Sequence, residues 1–411
     1  MQPRRVAVTG MGAVSPFGVG VTGYFSALKN GESGVRCIPE LRDYNGLKSM
    51  VAARVSGVDP KTIHRKFRRT MSAMSVYATL ASRDALTQAG LGETECAGGR
   101  MGVAIGSSVG SPLSTQKSYS EFFNYNSLEQ MRSTGFFQIM NHSCAANVSH
   151  ALDIRGRILA CSAACSTSCQ SIGYGYEMVA YGKQDIMLCG GAEEFHPLIT
   201  ATFDIMNAAS VEFNDRPTQT PRPFDRDRDG VVCSEGSGVL VLESMDSAEA
   251  RGVEILAEIV GFGTVSDTSN MVNPDSASME ACMAEALADA GMGPGEIDYI
   301  NAHATGTPQG DTAECDAIYR LFGGETPVSS MKGHMGHTMA ASGALEILAI
   351  IGMMESGVLI PTLNLDNVDD SCKKIRHVRG LEDRPVRCAI KNNFAFGGVN
   401  SSVVLRRYRN D

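Results

Sequence analysis

The chain has 411 residues, 43% hydrophobic and 20% charged, a balance typical of a soluble globular protein and long enough for two core-sized units. A net charge of −9 excludes indiscriminate attraction to nucleic acid, so any basic docking patch must be local. The twelve cysteines are scattered through apolar strings such as "IMLCGGAEE" and "VRCAIKNN", not spaced as a disulfide framework, which predicts reduced thiols in a cytoplasmic protein.

The amino-terminal "RVAVTGMG" (5–12) reads as a strand and turn, because Thr9 and two glycines interrupt the apolar run that a signal peptide needs. Gly10 and Gly12 begin a dinucleotide fingerprint, but Ser15 stands where its third glycine belongs, so an ordinary tight turn is the better reading. A helix is predicted over 72–91, then strands at 100–108, 185–193, 236–244 and 257–265. A second helix follows over 276–292, and strands at 298–305, 386–394 and 400–408 complete an α/β pattern. "DALTQAGL" (84–91) and "EALADAGM" (285–292) share an ending, and each leads through a polar loop into an apolar strand. That repetition predicts a duplication with halves 1–250 and 251–411. The most apolar helix, 343–357, carries Glu346 and is shorter than a bilayer span, which predicts no membrane segment.

"GRILACSAACSTSCQS" (156–171) sets Cys161, Cys165 and Cys169 at i, i+4 and i+8. A metal site would need two-residue gaps or a fourth ligand nearby, and the stretch has neither. Small buried thiols are common core residues, which suits Cys161 and Cys169. Cys165 stands apart, with a strand-like stretch before it and a helical pattern after it that holds Ser166 and Ser168 in its first turn. At such an elbow the helix N-terminus favours a thiolate.

Among the histidines, His64, His142, His150, His196 and His377 lack supporting neighbours and read as surface or structural residues. His303 ends the apolar strand of "NAHATGTPQGDTAE" (301–314), and Lys332, His334 and His337 share the glycine-broken "SSMKGHMGHTMAASGALE" (329–346). Histidines on loops at strand ends suit catalysis better than those inside helices, and His334 with His337 lack a third metal ligand. "NNFAFGGVNSS" (392–402) predicts a hairpin in which Phe394 joins the core and Gly397-Gly398 turn closely past a ligand. Phe396, beside them, suits either a core aromatic of the hairpin or a mobile gate.

In this order the pieces resemble the β-ketoacyl-acyl-carrier-protein synthases over essentially the whole chain, most of all the elongating enzymes of type I and II, particularly type I. "GKQDIMLCGGAEE", "FDIMNAAS", "PFDRDRDGVV" and "KFRRTMSAMSVYA" extend the likeness. The resemblance implies a thiolase-like α/β fold of two duplicated halves in a five-layered arrangement. It also implies a cytoplasmic homodimer, an acyl carrier protein as partner, and no metal or redox cofactor. It places the nucleophile at Cys165 and enolate-binding, neutral imidazoles at His303 and His337. Lys332, paired with Glu314, supplies positive potential. Thr305 and Thr307 fall where the carrier's phosphopantetheine arm binds, and Phe203 falls among the substrate contacts. Asp311 and Glu314 fall in structural support, and Phe394 through Gly398 in the gate loop, with the N–H groups of Cys165 and Phe396 as an oxyanion hole. Lys66 and Arg69 in "HRKFRRT" (64–70) match a carrier-docking helix, where a basic run alone reads as a solvated face.

The sequence departs from the family pattern at Ala304, Gly306, Gly333, His334, Ala395 and Val399; none is a reacting group, so these positions bear on acyl chain and carrier. The implied reaction is a decarboxylative condensation of an acyl-enzyme with malonyl-carrier in fatty-acid elongation. A type II polyketide or aryl-polyene ketosynthase shares the triad and is the alternative. A chain-length factor would lack the cysteine. A thiolase would carry a second cysteine in the Gly-rich loop, and a type III starter synthase pairs Cys with His and Asn.

Overall fold

The computed structural model describes residues 3–129 and 131–408. Its main strands form two runs. The first comprises β1 (Val6–Ser15), β2 (Met101–Gly106), β3 (Ile158–Leu159), β4 (Ile186–Glu193) and β5 (Gly236–Ser244). The second comprises β6 (Ala257–Ser266), β7 (Tyr299–Asn301), β8 (Pro327–Ser329), β9 (Cys388–Ala395) and β10 (Val399–Arg406). Lateral order is β3-β2-β4-β5-β1 in the first run and β8-β7-β9-β10-β6 in the second. Directions repeat as well: β2 is parallel to β3 and β4, as β7 is to β8 and β9, and the remaining neighbours in each run are antiparallel. The runs meet where Val6–Val8 of β1 pair with Ala257–Ile259 of β6.

Helix packing follows the same repeat. On the first run, α1 (Ala73–Gln88) lies so close to β1 that a Cβ on Gly10 would fall 2.1 Å from the Ala85 carbonyl oxygen, and one on Gly12 1.8 Å from that of Ala81. These glycines therefore serve helix–sheet contact, and no nucleotide loop is built from them. On the second run, α3 (Ser276–Asp289) repeats the contact, with a Cβ on Gly261 falling 2.3 Å from the Ala286 oxygen. Ala85 and Ala286 occupy equivalent places in the two matching helix endings.

Between the two runs lie α2 (Thr167–Ala180) and α5 (Ser342–Ser356), packed on each other, while α4 (Pro308–Phe322) packs on α3 at the outside. Outer helices, sheet, inner helices, sheet and outer helices make the five layers of a thiolase-like α/β fold. In α5 every residue from Ser342 to Met354 is buried, as an all-round apolar helix requires. Counted with its entry turn, Met339–Ser356 is long and apolar enough to cross a bilayer, but 89% of it is buried inside this fold. Some strands are shorter than the sequence pattern predicts. The 298–305 strand ends at Asn301, and the strand-like stretch before Cys165 is ordered as a strand only at Ile158–Leu159.

Candidate active site

Cys165 lies in a tight turn, Ala164–Ser166, that opens directly into α2. Ala164 holds φ at 46°, a conformation that costs a residue with a Cβ roughly 1–2 kcal/mol and must be held by its surroundings. The β9–β10 hairpin does the holding. Ser166 Oγ lies 2.9 Å from the Asn393 carbonyl and 2.7 Å from that of Val399, and Asn393 Nδ2 donates to the Cys165 carbonyl at 3.0 Å. Cys169, one turn into α2, is fully buried core, whereas Cys161 precedes the turn and is half-buried rather than on the helix.

His303 follows the end of β7, where the chain leaves the sheet because its N–H and that of Ala304 donate to Glu314 on α4, at 2.8 and 2.7 Å. Asp311, one turn earlier on α4, accepts from the N–H groups of Gly306 and Phe224. Burial pushes its carboxyl up to about 7, against the pull of Arg228. His337 is fixed through its backbone to Val232 and Ser234, which flank Cys233. One ring nitrogen of each histidine and the Cys165 sulfur all lie within 4.8 Å of one another, and the two rings meet edge to face with centroids 5.2 Å apart.

Hydrogen bonding sets the tautomers. His337 Nδ1 accepts from the Met339 N–H at 3.3 Å, so the proton sits on Nε2, which is buried with no hydrogen-bond partner among the described residues. Asn393 must turn its NH2 toward the Cys165 carbonyl, so it also donates to His303 Nδ1 at 3.4 Å, leaving His303 Nε2 as the donor. Burial is the main reason both imidazoles lie well below their ordinary ionisation range. The Lys332 and Lys391 ammonium groups push both further down, and for His303 the neighbouring His337 does so too. Burial and the two ammonium groups thus favour the uncharged form of both rings, with Nε2 as the donor left free on each.

Two expectations are corrected. The Cys165 thiol is not depressed at rest: burial raises it to about 12, with Glu193 adding to the rise. Lys332 and the N–H groups of Cys165 and Phe396 only partly offset that burial. Lys332 does not pair with Glu314 either. Its Nζ lies 2.6 Å from Glu346 Oε1 on α5, and Glu314 is occupied by the His303 loop. Sequence reasoning missed Lys391, whose Nζ grips the other Glu346 oxygen at 2.6 Å, and Asn393. The signals were a lysine within the apolar "CAIKNN" and Glu346, set among the apolar residues that open the most apolar helix.

Cys165, His303 and His337 share a cavity of about 400 Å³, within the range of small-molecule sites. Phe203, Thr305, Thr307, Phe394, Phe396 and Gly398 line it too, and the two threonine hydroxyls are 3.1 Å apart. Phe394 is buried, while Phe396 is half-buried with its ring centroid 5.8 Å from that of Phe203. Gly397 (φ 83°) and Gly398 (φ 75°) make the turn, and a Cβ on Gly398 would fall 2.0 Å from the Asp267 oxygen. His334 is buried apart from the cavity, with ring nitrogens against the carbonyls of Glu32 and Pro361. Lys66 and Arg69 are exposed at the short helix Arg65–Arg68 and do not line the cavity.

A thiol and two neutral imidazole donors at the floor of one cavity, at the junction of two matching α/β halves, define a thiolase-like condensing enzyme. The family models of the β-ketoacyl synthase N-terminal and C-terminal domains match residues 3–248 and 256–366, and the chain belongs to that family. It is 34% identical to 3-oxoacyl-[acyl-carrier-protein] synthase 1 of Haemophilus influenzae, over 98% of this chain and 99% of that one. A β-ketoacyl synthase structure from Burkholderia phymatum superposes with a TM-score of 0.96 at 43% identity, covering 99% of this chain and 100% of that one. A type II polyketide ketosynthase, solved in complex with its acyl-carrier protein and bound to a hexaketide, gives 0.91 at 30% identity, covering 99% and 100%. The protein is thus an acyltransferase that condenses an acyl-enzyme thioester with malonyl-acyl-carrier-protein, yielding 3-oxoacyl-acyl-carrier-protein and carbon dioxide.

Proposed function

We propose that Cys165 is the acyl-bearing nucleophile and that His303 and His337 bind the enolate oxygen left by decarboxylation. The convergence of one thiol and two oriented, uncharged N–H donors within 4.8 Å carries this reading. In the first half-reaction, sulfur attacks the acyl thioester and the thiol proton ends on the departing pantetheine sulfur. The N–H groups of Cys165 and Phe396, which already act on the sulfur, meet the oxyanion. In the second, the malonyl C–C bond to the carboxylate breaks and carbon dioxide leaves. The electron pair is held as an enolate under the two Nε2–H donors, and its carbon attacks the acyl carbonyl on Cys165; the acyl C–S bond then breaks, releasing the 3-oxoacyl-carrier and a Cys165 thiolate that regains its proton from solvent. Thr305 and Thr307 hold the pantetheine arm, Phe396 gates its entry against Phe203, and Asp311 with Glu314 holds the loop.

No resident metal is part of this reading, because Lys332 and Lys391 oppose a dication at the three converging ligands. The chain divides into halves near residue 250, where the repeated strand order restarts. It works as a cytoplasmic homodimer that covers the exposed aromatic residues of Pro112–Tyr125 and Ser133–Ile139, including Phe123, Tyr125 and Phe136. The acidic carrier docks on Lys66 and Arg69. Incubation with acyl-carriers of several lengths and malonyl-carrier, followed by weighing the products, tests the whole. Two-carbon extension is expected, and its absence across the panel overturns the reading. Reversing Lys66 and Arg69 to glutamate is expected to raise KM for acyl-carrier about tenfold while sparing a small thioester; an unchanged KM overturns the docking site.

A further inference from the structure

Two lysines with no exposed side-chain surface share one equally buried carboxylate. Lys332 Nζ and Lys391 Nζ stand 2.6 Å from opposite oxygens of Glu346. Lys391 also donates to the Asn392 carbonyl. Such burial is costly, and a single carboxylate cannot neutralise two ammonium groups. Lys391 and Asn393 are two apart on β9 and so face the same side of the sheet, one gripping Glu346 and the other His303 and the Cys165 carbonyl.

We propose that Lys391 is a positioning residue whose ammonium, clamped to Glu346 opposite Lys332, keeps a net positive field on His303 and His337 and so holds both rings as uncharged donors. The inference rests on the roles given above to those histidines. The groups that bear on them are few. His303 feels Lys332, His337 and Lys391, and makes its ring contact to Asn393. His337 feels Lys332 and Lys391 and lies beside the Cys165 sulfur. The lysines in turn feel Glu346 and Glu314, Cys169 lies within reach of Lys391, and Glu193 bears on Cys165. Counting the clamp alone, two ammonium groups and one carboxylate leave one positive charge. Replacing Lys391 by a neutral residue leaves none, and the imidazoles then gain a proton more easily.

The test is the pH dependence of malonyl-carrier decarboxylation by the full-length protein. In Lys391→Met the acid limb is expected to move up by about 1 pH unit, so that activity on the limb falls about tenfold while the alkaline plateau stays within threefold. Lys391→Gln, which keeps a donor in place, is expected to show the same shift if the methionine variant does not fold. Lys391→Met combined with Glu346→Gln restores one net positive charge and is expected to return the limb toward its original position. A folded Lys391→Met or Lys391→Gln protein whose limb has not moved, whatever its overall rate, overturns the proposal. Wild-type protein that decarboxylates malonyl-carrier at no pH overturns the underlying reading instead.

Discussion

The turn that enters α2 and the turn that enters α5 are the same device used twice. Ala164 (φ 46°) opens Ala164–Ser166 and Met339 (φ 47°) opens Met339–Ala341, and each leads at once into an inner helix. By that correspondence, Ala340 occupies the place of Cys165. The first turn lifts a sulfur into the cavity. The second keeps its alanine fully buried and spends its N–H groups on alignment, Met339 donating to His337 Nδ1 and Ala340 to Glu193. Duplicated backbone therefore supplied two strained elbows, and the side chains and cavity decide which one does chemistry.

The sharpest way to break this comparison is to move the sulfur. Cys165→Ala is expected to abolish self-acylation, lowering condensation by about 10⁴-fold or more. Adding Ala340→Cys is expected to rescue nothing, since only Cys165 lines the cavity. Labelling with a radioactive acyl-carrier reads both, and any recovered acylation would show that the elbow suffices without its surroundings. Next in size, His303→Ala or His337→Ala should still self-acylate yet lose about 10²–10³-fold in decarboxylation, the usual worth of one preorganised donor. Equal loss in both half-reactions would contradict the division of labour.

The ionisation of these rings gives a test with a definite sign. Both lie well below the ordinary imidazole value of 6.5, so decarboxylation should hold steady as pH falls through 6.5 and decline only lower down. A rate halved at 6.5 would mean rings as exposed as those in a peptide. The smallest effect concerns the elbow itself. Ala164→Gly relieves the left-handed strain against a gain in unfolded-chain freedom, and should stabilise the protein by about 0.5 kcal/mol in thermal unfolding.

The long alternating segments were legible because apolar periodicity over eight or more residues has few other meanings, and β1, β4, β5, β6, β9 and β10 lie where it points. The three side chains that converge in the cavity stood out in the sequence as well, Cys165 and His303 at element ends and His337 in a glycine-broken loop. What escaped was short or cooperative. β8 has three residues, too few for alternation. Lys332 was paired with Glu314 in the sequence reading and lies instead against Glu346, because only packing decides which helix brings its carboxylate to the lysine. The resting state of Cys165 escaped for a related reason: a helix start argues for a thiolate, but the depth of burial that outweighs it is not written in local sequence.

The seam between the halves has a consequence for synthesis of the chain. β1, buried along its whole length, pairs with Ser237–Ser244 and Ala257–Ile259 and, among the described residues, with no earlier strand apart from the short Gly18–Val19 return. A nascent polypeptide therefore carries an apolar strand that α1 can cover on one face but whose main strand neighbours are missing until more than half of translation is complete, an interval in which chaperone capture or misassociation competes with folding.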